Sequence, residues 1–102
     1  MSARMEWLVD GDTHEGARLT LARMTVPAGT ASEAHRHVSV DEAVHVLSGR
    51  AELVRDGKRE VLAPGDSAFL RAGEVHGFVN VGAEDCVLMV AYSGGRRDYE
   101  AV

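Results

Sequence analysis

Between "AELVR" and "KREVLA" the chain places Asp56-Gly57, and a two-residue turn of this kind between runs of strand-forming residues is the signature of a tight antiparallel hairpin. The same punctuation recurs along the sequence. "ARLTLARMTV" ends at Pro27-Ala28-Gly29, "EAVHVL" at Ser48-Gly49, "KREVLA" at Pro64-Gly65-Asp66, "SAFLR" near Ala72-Gly73, "HGFVNV" at Gly82 and "CVLMVAY" at Ser93-Gly94-Gly95. Strands at spacings of roughly 8–12 residues, with no segment of helical period between them, predict an all-β sandwich or closed barrel rather than a parallel sheet with helical crossovers. A chain of 102 residues is expected to form one domain over residues 1–102. A domain of this size buries roughly 60–65% of its unfolded surface, so a partner subunit would add stability.

One segment departs from this bland pattern. "GTASEAHRHVSVDEAVHVLSG", Gly29 to Gly49, contains three of the five histidines. His35 and His37 are two apart, so on a strand both leave from one face. Asp41 and Glu42 follow, and they must leave from opposite faces. Both faces of "EAVHVL" carry apolar residues, so alternation alone leaves open which acid faces inward.

Charge and composition exclude several functions. A net charge of −5 and a single lysine argue against an electrostatic nucleic-acid binder. No apolar run approaches the ~20 residues of a membrane-spanning helix. The start "MSARMEWLVDGD" has no apolar core of a secretory signal and Cys86 is the one cysteine, so a cytoplasmic location is expected. No nucleophile elbow or phosphate-cradling loop occurs.

Gly29, His35, His37, Glu42 and Gly49 fit every fixed position of G(X)5HXH(X)3-4E(X)6G, the first motif of the cupins. Gly65, Gly73, His76 and Asn80 fit the second, G(X)5PXG(X)2H(X)3N, with Arg71 where the family has proline. The chain therefore resembles a small single-domain cupin. The resemblance implies a double-stranded β-helix, or jelly-roll barrel, and a metal held by His35, His37, Glu42 and His76. Its spacing favours Glu42 over Asp41. Three imidazoles and a carboxylate suit a divalent transition metal (Fe, Mn, Ni, Cu, Co or Zn) better than Ca or Mg, which prefer oxygen-only shells. On an octahedral ion four protein ligands leave two positions for water, substrate or dioxygen, whereas a four-coordinate zinc would be closed.

Two classes of function follow. The first is a metal-dependent enzyme on a small organic substrate, most readily an oxygenase of dioxygenase type, with a non-redox isomerase, lyase or cyclase as its variant. The second is a non-catalytic metal-dependent binding or sensor module. Specific catalytic residues are not identified. Met24, Val26, Val44, Val46, Phe69, Phe78, Leu88 and Val90 are candidates to line the lumen or simply fill the core. His45, on the face opposite Glu42, is expected outside the barrel or at an interface, His14 in a loop, and Cys86 in the core rather than as a nucleophile. The long apolar stretch "ARLTLARMTV" is a candidate edge strand for a homodimer, and the tail "GGRRDYEAV" is expected to fray or to dock on a partner.

Overall fold

The computed structural model describes residues 3–102. Its strands are β1 (Arg4–Val9), β2 (Thr20–Val26), β3 (Thr30–Ala31), β4 (His35–His37), β5 (Glu42–Ser48), β6 (Ala51–Arg55), β7 (Lys58–Leu62), β8 (Ser67–Leu70), β9 (His76–Asn80), β10 (Cys86–Tyr92) and β11 (Tyr99–Ala101). Among the described residues there is no helix, and so none long and apolar enough to cross a membrane. One antiparallel sheet runs β1-β2-β10-β5-β8 and the other β11-β4-β9-β6-β7, with β3 added against β9. Apart from the consecutive pairs β1-β2 and β6-β7, neighbours in each sheet are far apart in sequence, as in a jelly roll, where the chain crosses repeatedly between sheets.

Period-two burial explains why the sheets face each other. In β2 and β10 every second residue is buried, and in β5 Glu42, Val44 and Val46 turn inward while Ala43, His45 and Leu47 turn outward. The inward rows meet Leu53 and Phe78 from the opposite sheet in one apolar cluster. Burial of this apolar surface is the main favourable term in folding. Turns fix the register. Asp56 and Gly57 both have positive φ, 51° and 70°, the conformation of a type I′ turn, and they close β6 onto β7 with Arg55 opposite Lys58.

The structure differs from expectation in several places. "ARLTLARMTV" is no edge: β2 lies between β1 and β10, because "RMEWLV" forms a strand that covers it. The tail neither frays nor waits for a partner, since β11 pairs with β4 of its own chain, Tyr99 opposite His37 and Ala101 opposite His35. Phe69 lines no lumen. It is opposite Ala43 on the outward face of β8 and half exposed, with the Arg71 guanidinium 5.8 Å from its ring. The turn that lacks the family proline is closed by hydrogen bonds instead: Arg71 N donates to the Glu74 carboxylate, and Glu74 N to the Arg71 carbonyl.

Candidate metal centre

His35 and His37 share the inward face of β4, Glu42 begins β5 across the barrel, and His76 begins β9 beside β4, paired with His35. All four are buried, at 8%, 2%, 3% and 2% exposure respectively. One ligand atom from each lies within 4.8 Å of the others, so the group could hold a metal ion. Bonds of 2.0–2.2 Å to a shared ion allow at most about 4.4 Å between opposite ligands, so the widest pair needs to close by only a few tenths of an ångström.

The imidazole tautomers are set by the main chain. His35 Nδ1 lies 2.7 Å from the Glu33 carbonyl, His76 Nδ1 3.0 Å from the Glu74 carbonyl, and His37 Nδ1 2.8 Å from the Arg97 carbonyl. A carbonyl oxygen only accepts, so each Nδ1 carries the proton and donates it. In the neutral rings the Nε2 lone pairs are therefore free, the arrangement that orients histidines as metal ligands. His37 Nε2 is 3.1 Å and His76 Nε2 3.0 Å from Glu42 Oε1. Yet none of these three buried atoms has a hydrogen-bond partner. The distances are short enough for hydrogen bonds, but with the proton on each Nδ1 both Nε2 atoms and the carboxylate oxygen are acceptors and none of them donates. Unpaired acceptors concentrated in a dry interior are costly without a positive charge among them, and a metal ion fits that requirement.

Protonation shifts follow the same logic. Burial disfavours the charge on Glu42, but His37 and His76 outweigh it and hold the carboxyl below its usual range. Burial lowers His76, but Glu42 beside it wins and raises it. His35 is lowered, chiefly by burial.

A cavity of about 190 Å³ opens onto His35 and Glu42 and is lined also by Met24, Phe78, Tyr92, Arg97 and Tyr99. Tyr99 stacks on His35 with ring centroids 4.8 Å apart, and Tyr92 packs edge-on to His37, also at 4.8 Å. Burial, reinforced by the charge of Glu42, holds the Tyr92 hydroxyl well above the usual phenol range, so it stays a neutral donor. Tyr92, Arg97 and Tyr99 were not among the expected site residues. Tyr92 shares its parity with the buried Leu88 and Val90 and was legible on that basis; the polar tail carrying Arg97 and Tyr99 had no such pattern.

The remaining candidates fall outside the site. Asp41 is exposed and accepts from Ala72 N, tying two loops together. His45 is outside the barrel with Nδ1 2.7 Å from the Ser67 hydroxyl, and His14 is an exposed turn residue beside the Thr13 hydroxyl. Asn80 is structural: its amide donates to the Val26 and Glu84 carbonyls and its oxygen accepts from Gly82 N. Of the lumen candidates, Met24 and Phe78 line the cavity, while Val26, Val44, Val46, Leu88 and Val90 pack in the core.

Known proteins resemble the chain in both sequence and fold. An oxalate-binding protein of Thermotoga maritima is 35% identical over 72 residues, 71% of this chain and 59% of that one. The polyketide cyclase RemF of Streptomyces resistomycificus superposes with a TM-score of 0.82 at 28% identity, over 98% of this chain and 70% of that one. An oxalate oxidase in complex with glycolate superposes at 0.87 over 97% of this chain and 54% of that one, with 16% identity, a likeness of fold alone. The chain spans between 52% and 64% of the length of the curated relatives it matches. Residues 22–92 match the family described as "Cupin domain", and with the jelly-roll sheets around its histidines the chain belongs to the cupins.

Proposed function

We propose that the chain is a metal-dependent enzyme, that His35, His37, Glu42 and His76 hold a divalent transition metal, and that a small organic substrate reaches the centre through the cavity beside it. The observation that carries this reading is the set of unpartnered acceptor atoms, His37 Nε2, Glu42 Oε1 and His76 Nε2, buried together beside a cavity that His35 and Glu42 line. When bound, the ion would supply Lewis acidity and, if it is iron, copper or manganese, redox chemistry with dioxygen. The chain's own residues do the rest. The Glu33, Glu74 and Arg97 carbonyls keep the imidazoles in the ligating tautomer, and Glu42 brings the negative charge that favours a cation. Met24 and Phe78 make part of the wall apolar, which strengthens electrostatic interactions by excluding water. Tyr92 offers a protonated hydroxyl next to any oxygen bound there.

Within this class we take the reaction to be an oxygenation of a substrate with two neighbouring oxygen donors. The likeness to a polyketide cyclase at 28% identity favours a second reading, Lewis-acid catalysis without redox change. The likeness to an oxalate-binding protein favours a third, binding without turnover. Metal analysis of the purified protein followed by dioxygen-uptake assays of the iron-, copper- and manganese-loaded forms with small keto and hydroxy acids separates them. Substrate-dependent uptake is expected; conversion without uptake would move the assignment to the cyclase class, and tight binding without conversion to the binding module.

We further propose a homodimer formed through strand edges. β1 and β8 end one sheet, β11 and β7 the other, and unpaired edges invite pairing with a second copy. Light scattering at micromolar concentration is expected to give twice the chain mass; a monomer would refute it.

A further inference from the structure

The strongest feature that the metal reading leaves unused is Arg97. Its guanidinium lies 4.5 Å from the ring centre of Tyr99 and 5.1 Å from that of Trp7. The residue is half-buried and lines the cavity. Among the described residues, Arg4, Arg18, Arg50, Arg71 and Arg97 form no ion pair with a carboxylate, and of these only Arg97 lines this cavity. A cation withdrawn from water needs compensation, which the two aromatic rings supply only in part. They also hold the planar guanidinium in place, so little freedom is lost when its donors engage a ligand. Its main-chain carbonyl is already committed to His37 Nδ1, so the Arg97 backbone is anchored to the metal centre itself.

A planar donor fork of this kind matches a carboxylate, which it can bind through two parallel hydrogen bonds. Resting on the reading of the four buried residues as a metal centre, we propose that Arg97 is the specificity-determining residue of the cavity and that the substrate is a small carboxylic acid. Its carboxylate pairs with Arg97, and a second oxygen of the same molecule, keto or hydroxyl, faces the metal. The cavity, about 190 Å³, limits the molecule to a few heavy atoms beyond these two groups. Met24 and Phe78 receive its carbon portion. Glu33 also lines the cavity, but its carboxylate is on the exposed rim near the Tyr99 hydroxyl. There solvent screens it, so it opposes an incoming anion only weakly.

The test compares pyruvate with its neutral isostere pyruvamide on the cobalt(II)-loaded protein, read by calorimetry and by the visible cobalt bands. Charge-assisted pairing predicts that pyruvate binds about 10- to 100-fold more tightly than pyruvamide. Arg97→Gln should erase that preference while leaving cobalt affinity unchanged, since the side chain is not a ligand. Arg97→Lys, which keeps the charge and loses the fork, should retain part of it and serves if the Gln variant does not fold. Equal binding of the two compounds, or a preference that survives Arg97→Gln, overturns the inference and leaves the metal reading standing. A wild-type protein that binds no cobalt overturns both.

Discussion

Asp41 and Glu42 are neighbours with the same chemistry and opposite surroundings. Alternation along β5 turns Glu42 into the barrel with Val44 and Val46, while Asp41 stays exposed and accepts from Ala72 N across to the next loop. Alternation alone could not choose between them, because Ala43 and Leu47 give the other face enough apolar character to look like a core row. The motif spacing favoured Glu42, and tertiary pairing with β10 and β8 sets the parity. Glu42→Gln keeps the size of the side chain and removes its charge, and it should lower metal affinity at least ~10- to 100-fold. Asp41→Asn should leave that affinity unchanged; titration calorimetry with manganese or cobalt measures both, and equal losses would mean the acids had been misassigned. Cys86, 0% exposed, is a second case decided by surroundings. Burial pushes its thiol up to about 11, so at pH 8 roughly one molecule in a thousand would be thiolate. A thiol reagent should therefore be silent on the native protein and react once denaturant is added; immediate reaction would contradict the buried position.

Most elements bounded by a turn signal were legible, although β1 was not, despite Asp10-Gly11 directly after it. Asp56-Gly57, Pro64-Gly65 and Gly49 mark the ends of β5, β6, β7 and β8 to within a residue or so. β1 and β11 are visible only through what they pair with: β1 adds to β2, and β11 adds to the two-histidine strand β4. A three-residue strand in a polar tail has no period to read, since its stability comes from tertiary pairing. Gly49 shows what a turn residue can be required to do. Its φ is +72°, and a Cβ there would be 2.2 Å from the Asp85 carbonyl oxygen, where β5 turns beneath the start of β10. Gly29 has a similar φ, +75°, but nothing lies within 4 Å of the added atom. Gly29→Ala should therefore cost only the backbone term, about 1 kcal/mol, whereas Gly49→Ala adds displacement of main chain and should cost about 3 kcal/mol. Denaturant melts of the two variants provide the comparison, and equal losses would mean the Asp85 contact relaxes freely.

At the scale of the molecule, the two sheets bring together four residues that are distant in sequence, so on the proposed metal reading ion binding and folding are coupled. Without an ion, the buried centre depends on protons. The raised pKa of His76 gives stability that is present below 6.5 and lost as pH rises through its higher folded value. The lowered pKa of Glu42 gives stability that is present above 4.5 and lost as pH falls through its lower folded value. Both contributions are in force between those two pH values. His35 acts against them, because its lowered pKa makes stability fall as pH drops below 6.5. A metal ion needs all three imidazoles neutral, so protons compete with it and its affinity should rise from pH 5.5 to pH 8. An ion present at ~100 times its dissociation constant adds about 2.7 kcal/mol, on the order of 10 °C in melting temperature for a domain of this size. Chelation should remove that increment at pH 8 and change little at pH 5.5. His37→Ala should be insensitive to metal and chelator at both pH values yet still melt cooperatively, because the apolar cluster between the sheets, rather than the ion, holds the strands together. Scanning calorimetry of wild type and variant at the two pH values decides the matter: if metal and chelator leave the wild-type melt unchanged at pH 8, the four buried residues are ordinary polar groups of the barrel and hold no ion.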